Sequence, residues 1–219
     1  MLSNDTLQFL KKLKKNNHKI WFEANKKGYE NAQAEIRLFA EEWIKQYGKK
    51  DPTIAHLDPK KCIFRIYRDV RFSKNKSPYK NNLGAYLSKG GKDIKTAGFY
   101  LHIEPGNCMF GAGNYMPDSE VLSKIRQEID YNFKDFEKII TQKKFKSIFG
   151  GLDTELKLKR APKGYEEENP ALELLKLKSF TVFRKIDDSE IIAPQFIQTV
   201  TNLCIASKPL VDFLNTAFE

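Results

Sequence analysis

Ala97-Gly98-Phe99-Tyr100-Leu101-His102-Ile103-Glu104-Pro105-Gly106-Asn107-Cys108-Met109-Phe110 reads as two strands folded back on a single turn. His102 alternates with apolar neighbours in the first arm, the two-residue period of a strand with one face toward a core. Pro105 and Gly106, within Glu104 to Asn107, supply the turn chemistry. Arms joined by so short a connection can pair only antiparallel. This hairpin therefore sets the character of the sheet.

Upstream, Cys62, Phe64, Ile66, Arg68 and Val70 alternate with Ile63, Arg65, Tyr67, Asp69 and Arg71, which predicts another strand. Residues 73–95 lack any sustained period and are rich in Lys, Asn, Ser and Gly, so they read as a long loop or a loop interrupted by one short element. Loops of that length inside compact domains are commonly functional. Further back, Leu7, Leu10 and Leu13 behind Ser3 and Asn4 predict a short amphipathic helix over residues 4–15, ended by Asn16 and Asn17. A longer helix is expected from about His18 to Tyr47, with Phe22, Tyr29, Ile36, Phe39, Trp43 and Ile44 near helical spacing and Gly48 at its end. The two form a helical hairpin.

Downstream, Pro117 and Asp118 precede Val121, Leu122, Ile125 and Ile129, a helix start, and short helices follow to about Phe149, closed by Gly150 and Gly151. Asn169 and Pro170 open a brief helix over Ala171 to Leu177, and Phe180 to Ile186 reads as a strand. Pro194 opens a last helix whose apolar stripe, Phe196 to Leu214, is expected to kink or break at Pro209. The expected architecture is one α+β domain over residues 1–219, a mainly antiparallel sheet covered by helices, with an N-terminal helical hairpin and a C-terminal helix.

The charge is not evenly spread. Residues 60–95 carry eleven Lys and Arg against two Asp and Glu, whereas the other 183 residues hold 27 basic and 26 acidic groups. Nearly all of the formal +10 thus sits in one window, where like charges repel unless an anion joins them. With 41% hydrophobic residues the 219-residue chain has enough apolar surface for a substantial core. Its apolar runs are far short of the ~20 residues that cross a bilayer. The N-terminus alternates Leu with Lys and Asn and lacks a signal peptide's hydrophobic stretch, so neither membrane insertion nor secretion is expected. Cys62, Cys108 and Cys204 are odd in number, far apart and flanked by apolar residues, which suits buried thiols in a reducing cytoplasm better than a disulfide framework. His18, His56 and His102 have no metal-ligand spacing, and packing or capping accounts for His18 and His102; no metal and no particular cofactor is implied.

The candidate site is the run from Arg65 to Lys80. In a regular strand Arg65, Tyr67, Asp69 and Arg71 share one face, with the outer two arginines at most ~20 Å apart along the strand and the carboxylate between them. Arg68 falls on the apolar face unless a bulge turns it outward. Arginine forks suit phosphate or carboxylate, while Lys74, Lys76 and Lys80 act as mobile point charges. Asp69 serves to orient an arginine, or as a catalytic base, and Tyr79 after Pro78 offers a ring or a hydroxyl. Ligand-binding candidates are therefore Arg65, Arg68, Arg71, Lys74, Lys76, Tyr79 and Lys80. The bland alternative is a solvated face with one Arg–Asp pair, of the kind that stabilises little. Ser73-Lys74-Asn75-Lys76 matches S-x-x-K but lacks the helix start and partner motifs that acyl-transfer chemistry needs. Gly111-Ala112-Gly113 lies past a strand and before Tyr115, where amides can approach an anion, yet without a full G-x-G-x-x-G it reads first as a tight structural turn. Trp21, Gly111, Gly113, Tyr115, Lys163 and Tyr165 complete the list as pocket lining, the last two if the Arg160 to Tyr165 segment folds back on the basic run.

Asn16-Asn17 followed by Trp21-Phe22 and Tyr29, the run Arg68-Asp69-Val70-Arg71-Phe72-Ser73-Lys74-Asn75-Lys76-Ser77-Pro78-Tyr79-Lys80, Gly111 to Tyr115 with Pro117, and Arg160 to Tyr165 before Asn169-Pro170 stand in one order along nearly the whole chain. This series resembles the uncharacterised bacterial and fungal family called domain of unknown function 2461. The resemblance implies a single domain. It brings no reaction, substrate or catalytic residue, only the expectation that these motif positions matter.

Three functional readings follow. The leading one is a phosphate-bearing or otherwise anionic small molecule held by the basic run, with phosphoryl- or acyl-type chemistry if the chain is an enzyme, which the residues leave open. A second is nucleic acid tracked along its phosphates, with Tyr79, Tyr86 or Phe72 stacking on bases, against which stand the balanced charge elsewhere and the lack of a recognisable binding motif. The third is an acidic protein partner docked on the patch.

Overall fold

A computed structural model describes residues 2–91 and 95–218. In chain order the elements are α1 (Asn4–Lys15), α2 (Lys19–Ala24), α3 (Lys26–Tyr47), a 3-10 turn (Pro52–Ile54) and α4 (Pro59–Cys62). Strands β1 (Leu83–Leu87), β2 (Gly98–Ile103) and β3 (Cys108–Asn114) follow. Then come α5 (Ser119–Tyr131), α6 (Phe133–Thr141), α7 (Lys143–Phe149), α8 (Leu172–Leu175), β4 (Phe180–Ile186), α9 (Asp188–Ile191) and α10 (Phe196–Thr216). The strands form one antiparallel sheet in chain order, β1-β2-β3-β4, so the fold is α+β with helices at both ends of the chain. No helix among the described residues is long and apolar enough to cross a membrane.

The chain divides into two compact units, the first comprising Met1–Leu87, Tyr100–Phe110 and Lys185–Thr201 and the second Ser88–Phe99, Gly111–Arg184 and Asn202–Glu219. In the first, Leu7, Leu10 and Leu13 of α1 and Ile36, Phe39, Ala40 and Trp43 of α3 are buried. The α1 entry is fastened by Glu35, whose carboxylate accepts from Ser3 N at 2.8 Å, Ser3 Oγ at 2.7 Å and Thr6 Oγ1 at 2.6 Å. On the sheet, Leu83, Ala85, Leu87, Leu101, Ile103, Cys108 and Phe110 are buried, in the alternation that the hairpin predicts. Truncating any of the buried leucines to alanine costs about 2–5 kcal/mol.

In the second unit Phe136 of α6 sits 4.8 Å from the Phe213 ring of α10. The Asn215 amide closes on the backbone of Ala97, accepting from its N at 2.9 Å and donating to its O at 3.2 Å. A buried amide satisfied on both sides suits an otherwise apolar helix face.

Several local expectations change. The helix expected from His18 to Tyr47 is two helices, α2 and α3, separated at Asn25. His18 does cap, its Nδ1 accepting from Trp21 N at 3.4 Å. The strand expected over 62–71 is not a regular strand. Cys62 closes the short helix α4, and the segment beyond it pairs with its neighbour through two isolated antiparallel bridges, Ile63 with Ala85 and Tyr67 with Tyr79. The ladder fails for two reasons. Pro78 accepts from Arg68 N at 2.9 Å but has no N–H to return. In addition, the step from Ile63 to Tyr67 faces a longer one from Tyr79 to Ala85, so the partner side carries extra residues, a bulge. Among the described residues of 73–95 the short element is β1; the part of that expected loop falling on 92–94 lies outside them. Gly111 and Gly113 lie inside β3, not in a turn. Helix α10 runs through Pro209 without a break in its span.

Candidate functional site

The basic run is a loop that braces itself with its own cations. Arg68 Nη1 donates to Ser77 O at 2.9 Å and its Nη2 to Ser73 Oγ at 3.3 Å. Lys76 Nζ donates to Val70 O at 3.0 Å. Ser77 N donates to Asn75 Oδ1 at 2.9 Å, a local turn of the kind asparagine favours. Two of the seven candidate ligands, Arg68 and Lys76, are thus committed to backbone carbonyls that the broken ladder leaves without partners. Ser73 is an acceptor for Arg68 within this loop and not at a helix start, as S-x-x-K acyl transfer would require.

Tyr79 is also turned inward. It is buried, with its ring stacked on Phe22 at 3.9 Å and 5.5 Å from Tyr67. Burial comes first in raising the Tyr79 hydroxyl's pKa. Its backbone is gripped by Asn17, whose Oδ1 accepts from Tyr79 N at 3.1 Å while Nδ2 donates to Tyr79 O at 2.9 Å and Asn81 Oδ1 at 2.8 Å. Asn17, between α1 and α2, therefore fixes the end of the basic loop. Trp21 is half-buried beside Phe9, with ring centroids 6.0 Å apart, and Tyr29 packs on Phe22 at 5.1 Å. Residues far apart in sequence, Asn17-Trp21-Phe22-Tyr29 and Pro78-Tyr79, make one aromatic clamp.

The outer side of the loop is different. Arg65, Asp69, Arg71, Phe72 and Lys74 are exposed. Arg71 forks onto Asp69, with Nε donating to Oδ1 at 3.0 Å and Nη2 to Oδ2 at 2.6 Å. Hydrogen bonds from the Arg71 side chain and then its backbone hold the Asp69 carboxyl below its usual range, against slight desolvation, and the Arg65 charge adds to the lowering. Arg65 and Arg71 accordingly flank one carboxylate, which leaves Asp69 a weak base and a good orienter. Three of Arg71's five N–H donors remain for an outside acceptor. Phe72 is 97% exposed, with the Arg71 guanidinium 5.9 Å from its ring centre. Lys80 is drawn over the Phe64 ring at 5.3 Å, and Phe64 meets Tyr100 edge-on at 5.9 Å.

That contact leads to a polar group which sequence reading takes as packing. On one face of β2 and its turn, Tyr100 OH and Asn82 Nδ2 both reach His102 Nδ1, at 2.9 and 2.8 Å, and His102 Nε2 lies 3.4 Å from Glu104 Oε2. Lys14 of α1 donates to Glu104 at 2.9 Å. Burial lowers the His102 pKa, offset only in part by Glu104. Burial alone pushes the Tyr100 hydroxyl up to about 12. Glu104 is raised by desolvation but brought below its usual value overall by Lys14, His102 and Asn107. Gly84 stands opposite, where a Cβ would lie 2.9 Å from the Tyr100 hydroxyl. The signal was present in the alternation Tyr100, His102, Glu104 on one strand face, with Lys14 the member no local pattern reveals. Cys108 is inert, its thiol pushed up to about 12 first by burial and then by Asp188.

The remaining candidates lie in the second unit. Gly111 has Phe183 ring atoms 2.9 Å from where a Cβ would stand, and a Cβ on Gly113, at φ +120°, would run into Phe180 O. These glycines permit close strand approach. Tyr115 is exposed. Lys163 is exposed, and Tyr165 has its hydroxyl pKa raised first by burial and then by Asp130, with Arg126 opposing. Asp130 in turn accepts from Asn169 Nδ2 at 2.6 Å.

No curated protein and no solved structure matches this chain. A family model described as conserved hypothetical protein (DUF2461) matches residues 5–213, nearly the whole chain, and the chain belongs to that family.

Proposed function

We propose that the chain binds a phosphate-bearing or similar anion on the outer side of the 65–74 segment, with Arg65, Arg71 and Lys74 as its direct contacts. One observation carries this reading: the loop is stiffened by Arg68, Lys76 and Asn17, so the exposed cations start from a braced backbone. Ordering a floppy loop opposes association, and a braced one avoids most of that cost. Asp69 holds the Arg71 fork in place and leaves donors outward. Lys80, Arg68, Lys76 and Tyr79 act as scaffold in this reading.

Titration calorimetry with inorganic tripolyphosphate tests it. A saturable site is expected in the wild type, and Arg71→Ala with Lys74→Ala should remove it while the melting temperature stays nearly unchanged, since exposed pairs contribute little. Absence of saturable binding in the wild type refutes the reading. So does a double variant that loses stability and keeps the anion.

A further inference from the structure

We infer that the anion is carried by a single-stranded nucleic acid, whose phosphates meet Arg65, Arg71 and Lys74 and one of whose bases stacks on Phe72. This narrows the anion-binding reading above and rests on it. A free phosphate gives no reason for an aromatic ring at the outer edge of a basic loop, yet Phe72 is 97% exposed there. Such exposure forgoes the gain of burying an apolar side chain. The fold does bury the neighbouring ring, Tyr79, and half-exposed Tyr67 is anchored on it at 5.5 Å. Phe72 is therefore held out of an aromatic cluster that lies within a few residues of it in sequence.

Its setting matches a stacking platform. The Arg71 guanidinium stands 5.9 Å from the ring centre, and Lys74 follows two residues on, also exposed. Proteins that hold unpaired strands combine a basic track with aromatic faces, because every base offers a π-face and every linkage a charge. A duplex buries its base faces, so stacking on Phe72 selects unpaired strands. A membrane surface fits less well. Asp69, Ser73, Asn75 and Ser77 are polar neighbours of Phe72 along the chain, whereas interfacial insertion needs an apolar face.

Fluorescence anisotropy of the full chain decides the matter, using a labelled oligothymidylate and an oligouridylate of about twelve nucleotides, a duplex of equal length, phosphatidylserine vesicles and tripolyphosphate. The single strands should bind tighter than the duplex or tripolyphosphate. Phe72→Ala should weaken them on the order of tenfold or more, and Phe72→Tyr should restore them. Circular dichroism should show both variants melting with the wild type. With three phosphate contacts, a fourfold rise in salt should weaken binding on the order of 20-fold. Equal affinity for duplex, an unaffected Phe72→Ala variant, or preference for vesicles overturns the inference. Binding of tripolyphosphate with no gain for the oligonucleotides overturns it and leaves the anion reading standing; binding of neither ends both.

Discussion

The 63–80 segment and the β2–β3 hairpin both fold the chain back on itself, but they are held by different means. In the hairpin, backbone ladders and alternating buried side chains suffice, and polar residues such as His102 are left on the other face. In the basic segment two isolated bridges replace the ladder, and side chains take over: Arg68, Lys76 and Asn17 supply donors to carbonyls that a strand would have satisfied. Charge in a basic run is therefore not one resource. Some cations hold the backbone, and others such as Arg65, Arg71 and Lys74 stand exposed.

The contrast can be broken hardest at the hairpin's far strand. Gly113→Ala places a Cβ on Phe180 O at a positive φ, and should cost more than about 3 kcal/mol, read as a large fall in melting temperature or loss of soluble protein. Next comes Asn17→Ala, which removes three hydrogen bonds to Tyr79 and Asn81. It should cost about 2 kcal/mol in urea unfolding and release the basic loop, so tripolyphosphate affinity falls with it. A neutral result there would mean that the aromatic clamp alone sets the loop.

Two arginines in the same run sharpen the comparison. Arg68→Ala leaves Ser77 O without its donor and should cost about 1–2 kcal/mol. Arg71→Ala, at an exposed pair, should leave the unfolding midpoint nearly unchanged. Equal stability losses would erase the division between scaffold and contact residues.

The smallest effect concerns pH. His102 has its pKa lowered in the fold, so below the ordinary value of 6.5 the unfolded chain takes up a proton more readily than the native one. Stability from this group is complete above that value and declines as pH falls toward the lowered one. Thermal melts from neutral to mildly acidic pH should show a shallower decline in His102→Gln than in the wild type. An equal slope would place the decline elsewhere.

Local pattern determined a good deal by itself. Helix α1 behind Ser3 and Asn4, the hairpin turn at Pro105-Gly106, the start of α5 after Pro117 and strand β4 follow from spacing and capping chemistry within a few residues. The concentration of charge in one window, and the match over residues 5–213 that places the chain in its family, are likewise properties of the linear chain. Tertiary structure decided the rest. Alternation from Cys62 to Arg71 predicted a strand because a period of two reports which side chains face inward, not whether a neighbour can return hydrogen bonds, and Pro78 with the bulge beside it cannot. That Tyr79 is the ring turned inward depends on partners such as Asn17 and Phe22, some 60 residues away. Those contacts exist only once the chain has closed, and no local period encodes them.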